Sequence, residues 1–468
     1  MRRYSNDNAL AFHTPGHKQG LGAHELLKEL ITSEGLRREV SLMEELDDLH
    51  TPQTYIKSAQ NLAAKLWCAD EAFFMVNGTT SAVQAMIMST LNPGDLVFVT
   101  RNAHRCVING LILAGARPVY LMPEFDEEFN IALNLTVETV ASAIEKYPQA
   151  KALIIVSPNY YGIASNLNEI AKLLHKHNML LLVDEAHGAH LRFSDKLPAS
   201  AIEAGADLAA QSTHKLLGSL TQTSMLLVKS KLVDVERVKR VASLLQTTSP
   251  NYLLLASLDI ARLQMQESGA ELIERAIKLS QMLRSEIKNF DDLKTLDYID
   301  GFDLDLTKVT VNVSELGLTG MEAEKILRYE YKIQCELSDL QNLLFLITYA
   351  DNDYTVNKLN EALKKLSVNV SKKNMQKKYT ELKLPETELI LSPRESFYAQ
   401  TNTIDLNHSV NKICAEEITF YPPGIPILCP GELITAEIVE LIQYNKKLGI
   451  KIIGAEDKHL NTIKIIKN

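Results

Sequence analysis

The sequence lacks the features of a secreted, membrane-bound or nucleic-acid-binding protein. Its five cysteines are scattered, odd in number and never spaced C-x-x-C, which argues against a disulfide framework and favours a reducing compartment. No segment reaches the ~18 apolar residues of a membrane span, and residues 1–7 lack the apolar core of a signal peptide. Basic residues number 49 against 58 acidic ones, so we expect neither a nucleic-acid nor a membrane partner. These absences predict a cytoplasmic protein.

What is present is an ordinary globular composition of 468 residues, 46% hydrophobic and 23% charged, long enough for two to three domains. Residues 51–245 alternate short apolar runs with stretches of helical length. This pattern predicts an α/β fold with a mostly parallel sheet buried on both faces. The strongest predicted strands are residues 72–76, 96–100, 118–122, 152–157 and 179–183.

The chain divides into three predicted parts. Residues 1–50 are turn-rich and predict an N-terminal arm, residues 51–290 a large α/β domain ending in a long helix, and residues 291–468 a smaller C-terminal α+β domain. Residues 371–380 are lysine-rich and predict a solvated linker or helix face. Residues 422–426, which contain three prolines, predict a rigid turn.

Polar residues that follow apolar runs are the first candidates for chemistry, because ligands of open α/β sheets bind beyond the carboxyl ends of the strands. After residues 73–76 come Gly78, Thr79, Thr80 and Ser81, and then a helix predicted over residues 81–91. Backbone N–H groups, hydroxyls and the positive end of the helix dipole suit a phosphate, although a simple N-cap uses the same residue types. No P-loop lysine follows, which disfavours a nucleoside triphosphate.

Three further candidates end predicted strands. His104 lies in the loop after residues 96–100. Asp184 stands at the tip of a buried strand, where a carboxylate needs a cationic partner such as a protonated pyridine nitrogen or a metal ion. The pair His187-x-x-His190 admits a metal interpretation, but no further Cys or His stands at ligand-like spacing. Lys215 follows a short apolar run, where desolvation lowers the pKa of an amine and favours Schiff-base formation.

Together, the phosphate cradle, His104, Asp184 and Lys215 match the groups that bind pyridoxal phosphate, so no metal is expected. Eight further motifs run from residue 12 to the last part of the chain. They are FHTPGHK from residue 12, LDDLH from 46, VNGTT from 76, DEAHGAH from 184, STHK from 212, TTSP from 247, LSPRE from 391 and YPPGIP from 421. In these motifs the chain resembles a known family, the fold-type-I, aspartate-aminotransferase-like decarboxylases of ornithine, lysine and arginine.

The resemblance implies roles for individual residues. Lys215 would carry pyridoxal phosphate as a Schiff base, Asp184 would hold the ring nitrogen protonated, and His104 would stack on the ring. His214 would lie beside the Schiff base and assist proton transfer. The remaining cofactor contacts implied by the resemblance come from Gly78, Thr79, Thr80, Ser81, Ser212, His187, Thr247 and Thr248. The last two would reach the phosphate of the partner subunit, since the family places its active site at a dimer interface.

The implied activity is decarboxylation of arginine, lysine or ornithine to agmatine, cadaverine or putrescine. The motif series resembles the short, wingless branch of the family, so we expect a homodimer or a dimer-based oligomer. Residues 50–55 depart from the family pattern and leave the substrate open. Glu395, Glu416 and Glu417 are candidates for binding the distal charge of the substrate, and Arg394 for its carboxylate. The alternatives are another fold-type-I activity, such as an aminotransferase or aldolase, and a non-catalytic protein that keeps the scaffold.

Overall fold

The computed structural model describes residues 1–7, 9–229, 231–369, 385–421 and 425–467. The predicted lysine-rich linker at residues 371–380 and residues 422–424 of the predicted turn lie outside this part.

A seven-stranded sheet forms the centre of the large α/β part. Its strands in chain order are β1 (Glu71–Met75), β2 (Leu96–Thr100), β3 (Arg117–Leu121), β4 (Ala152–Val156), β5 (Leu180–Asp184), β6 (Leu208–Gln211) and β7 (Ser224–Val228). They lie in the order β1-β7-β6-β5-β4-β2-β3, and every neighbouring pair is parallel except the two that involve β7. The five predicted strands are therefore confirmed to within one residue at each end.

Helices cover both faces of this sheet, which explains its continuous apolar strands. Along β4, Leu153 and Ile155 join one core cluster while Ala152 and Ile154 join the other, as the two-residue period of a strand requires. The helices of the large part are Tyr55–Leu66, Gly78–Thr90, Arg105–Ala114, Val137–Lys146, Leu167–Lys176, Thr213–Leu216, Val235–Leu245 and Tyr252–Ile287.

Two smaller units with separate apolar cores follow the large sheet. The first is an antiparallel sheet with the strand order Lys294–Thr295, Lys308–Asn312, Asn342–Leu346 and Leu337–Ser338. Its helices are Gly320–Tyr329 and Asp353–Asn369. The second unit contains the helices Pro393–Tyr398 and Ala436–Lys447 and the strands Thr401–Asp405, Ile418–Tyr421, Ile425–Leu428, Lys451–Ile453 and Thr462–Ile466. The C-terminal third is therefore α+β, while the domain boundaries at residues 50 and 290 stay predictions.

The N-terminal segment contains three short helices, Arg2–Asn6, Glu25–Ile31 and Ser33–Arg38. Within the described residues, no helix has both the length and the apolar character needed to cross a membrane.

The strand order creates a switch point next to β2. β3 lies on one side of β2 and β4 on the other, so the direction in which the sheet grows reverses between them. Crevices beyond the carboxyl ends of strands at such a point are the usual ligand sites of α/β sheets. His104, Ser157, Asp184 and Ser212 follow or end β2, β4, β5 and β6 at this edge.

Candidate active site

The start of the helix Gly78–Thr90 forms a polar cradle beyond β1. Gly78 has a φ of +76°, which would strain a larger residue, and the space where its Cβ would stand is open. The hydroxyl of Thr79 contacts the hydroxyl of Ser212 and donates a hydrogen bond of 2.9 Å to the hydroxyl of Ser224. The cradle therefore joins the ends of β1, β6 and the start of β7.

Thr80 and Ser81 lie inside the first helical turn, because the helix begins three residues earlier than predicted. Ser81 donates a hydrogen bond of 2.8 Å to the carbonyl of Gly78, whereas the side chain of Thr80 is exposed. Backbone N–H groups in a first turn have no intrahelical acceptors, so they are available to an anion.

Two glutamines that sequence reasoning missed hold this cradle in place. The side chain of Gln246 accepts a hydrogen bond of 2.9 Å from the N–H of Val76, and that of Gln222 donates to the carbonyl of Val76. The carbonyl of Gln222 also accepts from the N–H of Gly78 at 2.9 Å. The turn that precedes the helix is thus fixed from both sides by residues far along the chain.

Asp184 is a buried carboxylate at the carboxyl end of β5, with 3% of its surface exposed. Its Oδ1 accepts a hydrogen bond of 3.1 Å from the N–H of Ala186, and its Oδ2 lies 4.0 Å from the thiol of Cys106. Burial raises the pKa of this carboxyl, while His104 and Lys215 oppose the effect. Since a thiol is a weak donor, Oδ2 can accept a stronger hydrogen bond from a cationic N–H group.

His104 caps the helix Arg105–Ala114. Its Nδ1 accepts a hydrogen bond of 3.2 Å from the N–H of Cys106, which assigns the ring proton to Nε2. Burial lowers the pKa of His104, and Lys215 adds to this effect while Asp184 opposes it. The ring is therefore neutral at pH 7, and its predicted stacking on a cofactor stays a prediction.

Lys215 lies in the short helix Thr213–Leu216, directly after β6. Its Nζ is 3.0 Å from Nε2 of His187 and 5.9 Å from the centre of the Tyr160 ring. Burial lowers the pKa of Lys215, as its position after an apolar run predicted, while Asp184 opposes the effect. A lowered pKa increases the fraction of free amine, the form that attacks a carbonyl carbon.

His187 is buried between two lysines. Its Nε2 contacts Lys215, and its Nδ1 lies 2.9 Å from Nζ of Lys308, which also donates to the carbonyl of Tyr160 at 3.0 Å. The rings of Tyr160 and His187 are 4.9 Å apart between centres. Burial and the two lysines hold the pKa of His187 well below its usual value. Sequence reasoning missed Lys308, because no local pattern links it to Lys215.

The two histidines of the alternative metal site have other partners. Nε2 of His190 lies 3.1 Å from Oδ2 of Asp305, and His187 contacts the lysines described above. Glu185 accepts hydrogen bonds of 2.7 Å from the N–H of Ala201 and from the side chain of Gln211. Among the described residues, no group of three or more His, Cys, Asp or Glu side chains is arranged to hold a metal ion.

Residues 247–248, which are predicted to reach a partner subunit, are hydrogen-bonded to the loop at residues 50–55 that departs from the family pattern. Thr247 and Thr248 are exposed, and the carbonyl of Thr247 accepts a hydrogen bond of 2.9 Å from Nε2 of His50. Nδ1 of His50 lies 2.8 Å from the hydroxyl of Ser243. That loop therefore contacts this segment through His50.

The candidates for substrate binding occupy different environments. Arg394 donates a hydrogen bond of 3.0 Å to the carbonyl of Leu113, and Glu395 caps its own helix by accepting from the N–H of Ser392 at 2.7 Å. Glu416 accepts from the backbone N–H groups of residues 456 and 464, both at 2.9 Å. Glu417 is half-buried and accepts from the hydroxyl of Thr419 at 3.1 Å. Burial raises the pKa of Glu417, while Arg105 opposes the effect.

The groups at this edge fit pyridoxal phosphate. The hydroxyls of Thr79 and Ser212 and the first-turn N–H groups suit the phosphate, Oδ2 of Asp184 suits a protonated ring nitrogen, and Lys215 offers an amine. Ser157, which sequence reasoning did not single out, adds a buried hydroxyl for which the described residues provide no hydrogen-bond partner. Its backbone N–H donates to the backbone carbonyl of Asp184 at 3.1 Å, so Ser157 lies at the strand end next to that of Asp184.

The strand order and this set of side chains define an aspartate-aminotransferase-like protein of fold type I. A solved lysine decarboxylase from Francisella novicida confirms the predicted fold class. It matches the chain with a TM-score of 0.87 at 22% sequence identity, over 99% of this chain and 80% of that one.

The chain belongs to the Orn/Lys/Arg decarboxylase family. The family profile for the major domain matches residues 1–309, and the profile for the C-terminal domain matches residues 372–452. An arginine decarboxylase of Bacillus anthracis is 42% identical over 470 residues, which cover 99% of this chain and 95% of the relative. An arginine decarboxylase of Bacillus subtilis (strain 168) is 40% identical over 473 residues, covering 100% and 96%. The predicted family is confirmed, and the chain is an amino-acid decarboxylase of that family.

Proposed function

We propose that this protein decarboxylates a basic amino acid with pyridoxal phosphate as cofactor, and that arginine is its preferred substrate, giving agmatine and CO2. The observation that carries the proposal is a desolvated Lys215 amine and a buried Asp184 carboxylate at one edge of the sheet. The preference for arginine is supported by relatives of that name, which are 40–42% identical over nearly the whole chain.

When bound, pyridoxal phosphate supplies an electron sink for the electron pair that is released as CO2 leaves. Asp184 holds the proton on the ring nitrogen, because a buried carboxylate gains most from a cationic donor. Thr79, Ser212 and the first-turn N–H groups bind the phosphate. These contacts would hold the cofactor in a fixed position at the carboxyl ends of the strands, while other groups of the site would have to orient the substrate carboxylate for loss as CO2.

Two side chains are proposed to transfer protons near the reacting carbon of the substrate. Nδ1 of His214 donates to the carbonyl of Thr223 at 2.7 Å, which leaves Nε2 as an acceptor in the neutral ring. Lys215 is the second group, because a lowered pKa makes the free amine of Nζ, which can accept and return a proton, more accessible.

Of the three candidate glutamates, Glu417 is proposed to bind the guanidinium of the substrate. Glu395 is engaged in capping its helix, and Glu416 in binding two backbone N–H groups. Glu417 has one hydroxyl donor, and burial raises the pKa of its carboxyl, so a guanidinium would stabilise the charged form. Its replacement by glutamine should raise KM for arginine with a smaller change in kcat.

The proposed assembly is a homodimer with the active site at the interface. Leu10, Phe12 and Leu21 in the N-terminal segment are 82%, 91% and 86% exposed in the single chain. Large apolar side chains that are this exposed in one segment favour burial against a second subunit.

A turnover screen of the purified protein with added cofactor against arginine, lysine and ornithine tests the proposal. The expected result is that CO2 is released fastest with arginine, and that agmatine is the amine formed from it. Lys215→Ala should abolish it, and the exposed Lys229→Ala is the matched control that should retain it. Formation of a keto acid, or no reaction with any of the three, would overturn the proposal.

A further inference from the structure

Lys308 contacts His187 on the side opposite Lys215. Its side chain is 1% exposed and enters the site from the strand Lys308–Asn312 of the smaller antiparallel sheet. Its Nζ lies 2.9 Å from Nδ1 of His187 and 3.0 Å from the carbonyl of Tyr160. His187 therefore separates two amines, and its two ring nitrogens contact one amine each.

The contacts restrict where the protons are. A neutral imidazole has one N–H donor and one acceptor nitrogen, whereas a charged ammonium can only donate. His187 is neutral because burial and the two lysines depress its pKa. One of its nitrogens therefore accepts from a lysine, and the other donates to a lysine that must be a free amine.

The positive charge belongs on Lys308. Asp305 favours the charged form of Lys308 as Asp184 favours that of Lys215, so the hydrogen-bond acceptors decide. Nζ of Lys308 has the carbonyl of Tyr160 besides His187, whereas among the described residues Nζ of Lys215 has His187 alone. Burial lowers the pKa of Lys308 to about 8, so it keeps its proton at pH 7. The other charged or titratable groups that face it are Lys215, Glu336, His187, His190 and Arg284.

We propose that Lys308 is a positioning residue that donates to Nδ1 of His187, so that Nε2–H of His187 donates to Nζ of Lys215 and holds that amine in its uncharged, nucleophilic form. The inference rests on the proposed role of Lys215 in cofactor attachment. Its consequence is that the smaller antiparallel sheet, through Lys308, sets the protonation of an amine in the large part of the chain.

The test is the pH dependence of cofactor capture by the full-length protein after removal of bound cofactor. Capture of added pyridoxal phosphate is followed by its visible absorbance, and it requires the free amine of Lys215. Lys308→Met removes a positive charge and a hydrogen-bond donor, so the ammonium form of Lys215 becomes more favourable. The midpoint of the plot of capture rate against pH should therefore rise by about one pH unit, which makes capture about tenfold slower at pH 7. Lys294→Met, an exposed lysine on the neighbouring strand that pairs with Glu128, is the matched control and should leave the midpoint unchanged.

A second substitution separates transmission through His187 from a direct effect of charge. In the His187→Gln background, Lys308→Met should shift the midpoint much less than in the wild type. Equal shifts in both backgrounds would overturn the proposed hydrogen-bonded chain, and so would coinciding profiles of the wild type and Lys308→Met. If the wild type captures no cofactor at any pH, the proposed function itself fails.

A measurement without substitution of Lys308 covers the case in which that variant does not fold. The cofactor-free protein is labelled with 15N-histidine, and the NMR signals of His187 are assigned by their loss in His187→Gln. The proposal expects a protonated Nε2 and an unprotonated Nδ1. The opposite tautomer, or a doubly protonated ring at pH 7, would overturn it.

Discussion

Replacing Glu185 with glutamine should make the protein more stable at neutral pH, although Glu185 accepts two hydrogen bonds. The carboxyl is completely buried, and burial raises its pKa from 4.5 to about 8. The folded protein therefore keeps Glu185 protonated at pH 7, where the unfolded chain has released that proton.

The sign and size of the effect follow from this difference. A carboxyl with a raised pKa in the folded state contributes its full stability below about pH 4.5, and that contribution declines as the pH rises toward 8. Between pH 5 and pH 7 the wild type should lose about 2.5 kcal/mol, at 1.36 kcal/mol per pH unit with partial ionisation at the lower end. Glutamine has nearly the same shape and does not titrate, so the variant should not show this loss.

Thermal unfolding of the cofactor-free protein at pH 5, 6, 7 and 8 measures the difference. The gain in Tm of Glu185→Gln over the wild type should grow steadily with pH and level off near pH 8. Glu138→Gln, in the exposed first turn of the helix Val137–Lys146, is the matched control and should show no such trend. A variant whose Tm difference from the wild type is the same at pH 5 and pH 8 would refute the reasoning.

Other predictions concern the polar groups of the same edge. Asp184→Asn should raise the Tm of the cofactor-free protein, because it removes a buried carboxylate, and thermal unfolding measures this. The same variant should lower kcat by at least about 100-fold, because the ring nitrogen of the cofactor loses its charged partner, and steady-state kinetics measure this. Arg101→Met should destabilise the protein by about 3–5 kcal/mol in denaturant unfolding, because it leaves Glu432 buried and unpaired. The double variant Arg101→Met/Glu432→Gln should recover part of that loss, and no recovery would mean that the pair acts through packing alone.

The sequence predicted the parts of the site that lie next to strands. His104, Asp184 and Lys215 follow or end apolar runs, and the carboxyl ends of parallel strands share one edge of a sheet. Their common location could therefore be inferred once the α/β pattern was recognised. The roles assigned to these residues stay predictions, since they depend on a cofactor that contacts all of them.

The sequence did not predict the residues that hold the site together across long stretches of chain. Gln222 and Gln246 bind the turn before Gly78, and Lys308 contacts His187 from another sheet. Glutamine and lysine are most often solvated, so neither residue type signals burial by itself. Nor did the pattern single out β7, whose antiparallel pairing with β1 and β6 is set by tertiary packing rather than by local periodicity.

Some of the buried polar groups that the described residues leave without a hydrogen bond lie around the same site. Oδ2 of Asp184 faces a weak thiol donor, and among the described residues the hydroxyls of Ser157 and Thr213 are buried without partners. A buried polar group without a hydrogen bond costs roughly 1–3 kcal/mol, and these two hydroxyls follow the strands β4 and β6 at the edge that carries Asp184 and Lys215. Because a ligand that satisfies these groups binds the folded chain alone, cofactor binding and folding stability must be coupled. The same coupling explains why a substitution such as Asp184→Asn is expected to stabilise the cofactor-free protein while it impairs catalysis.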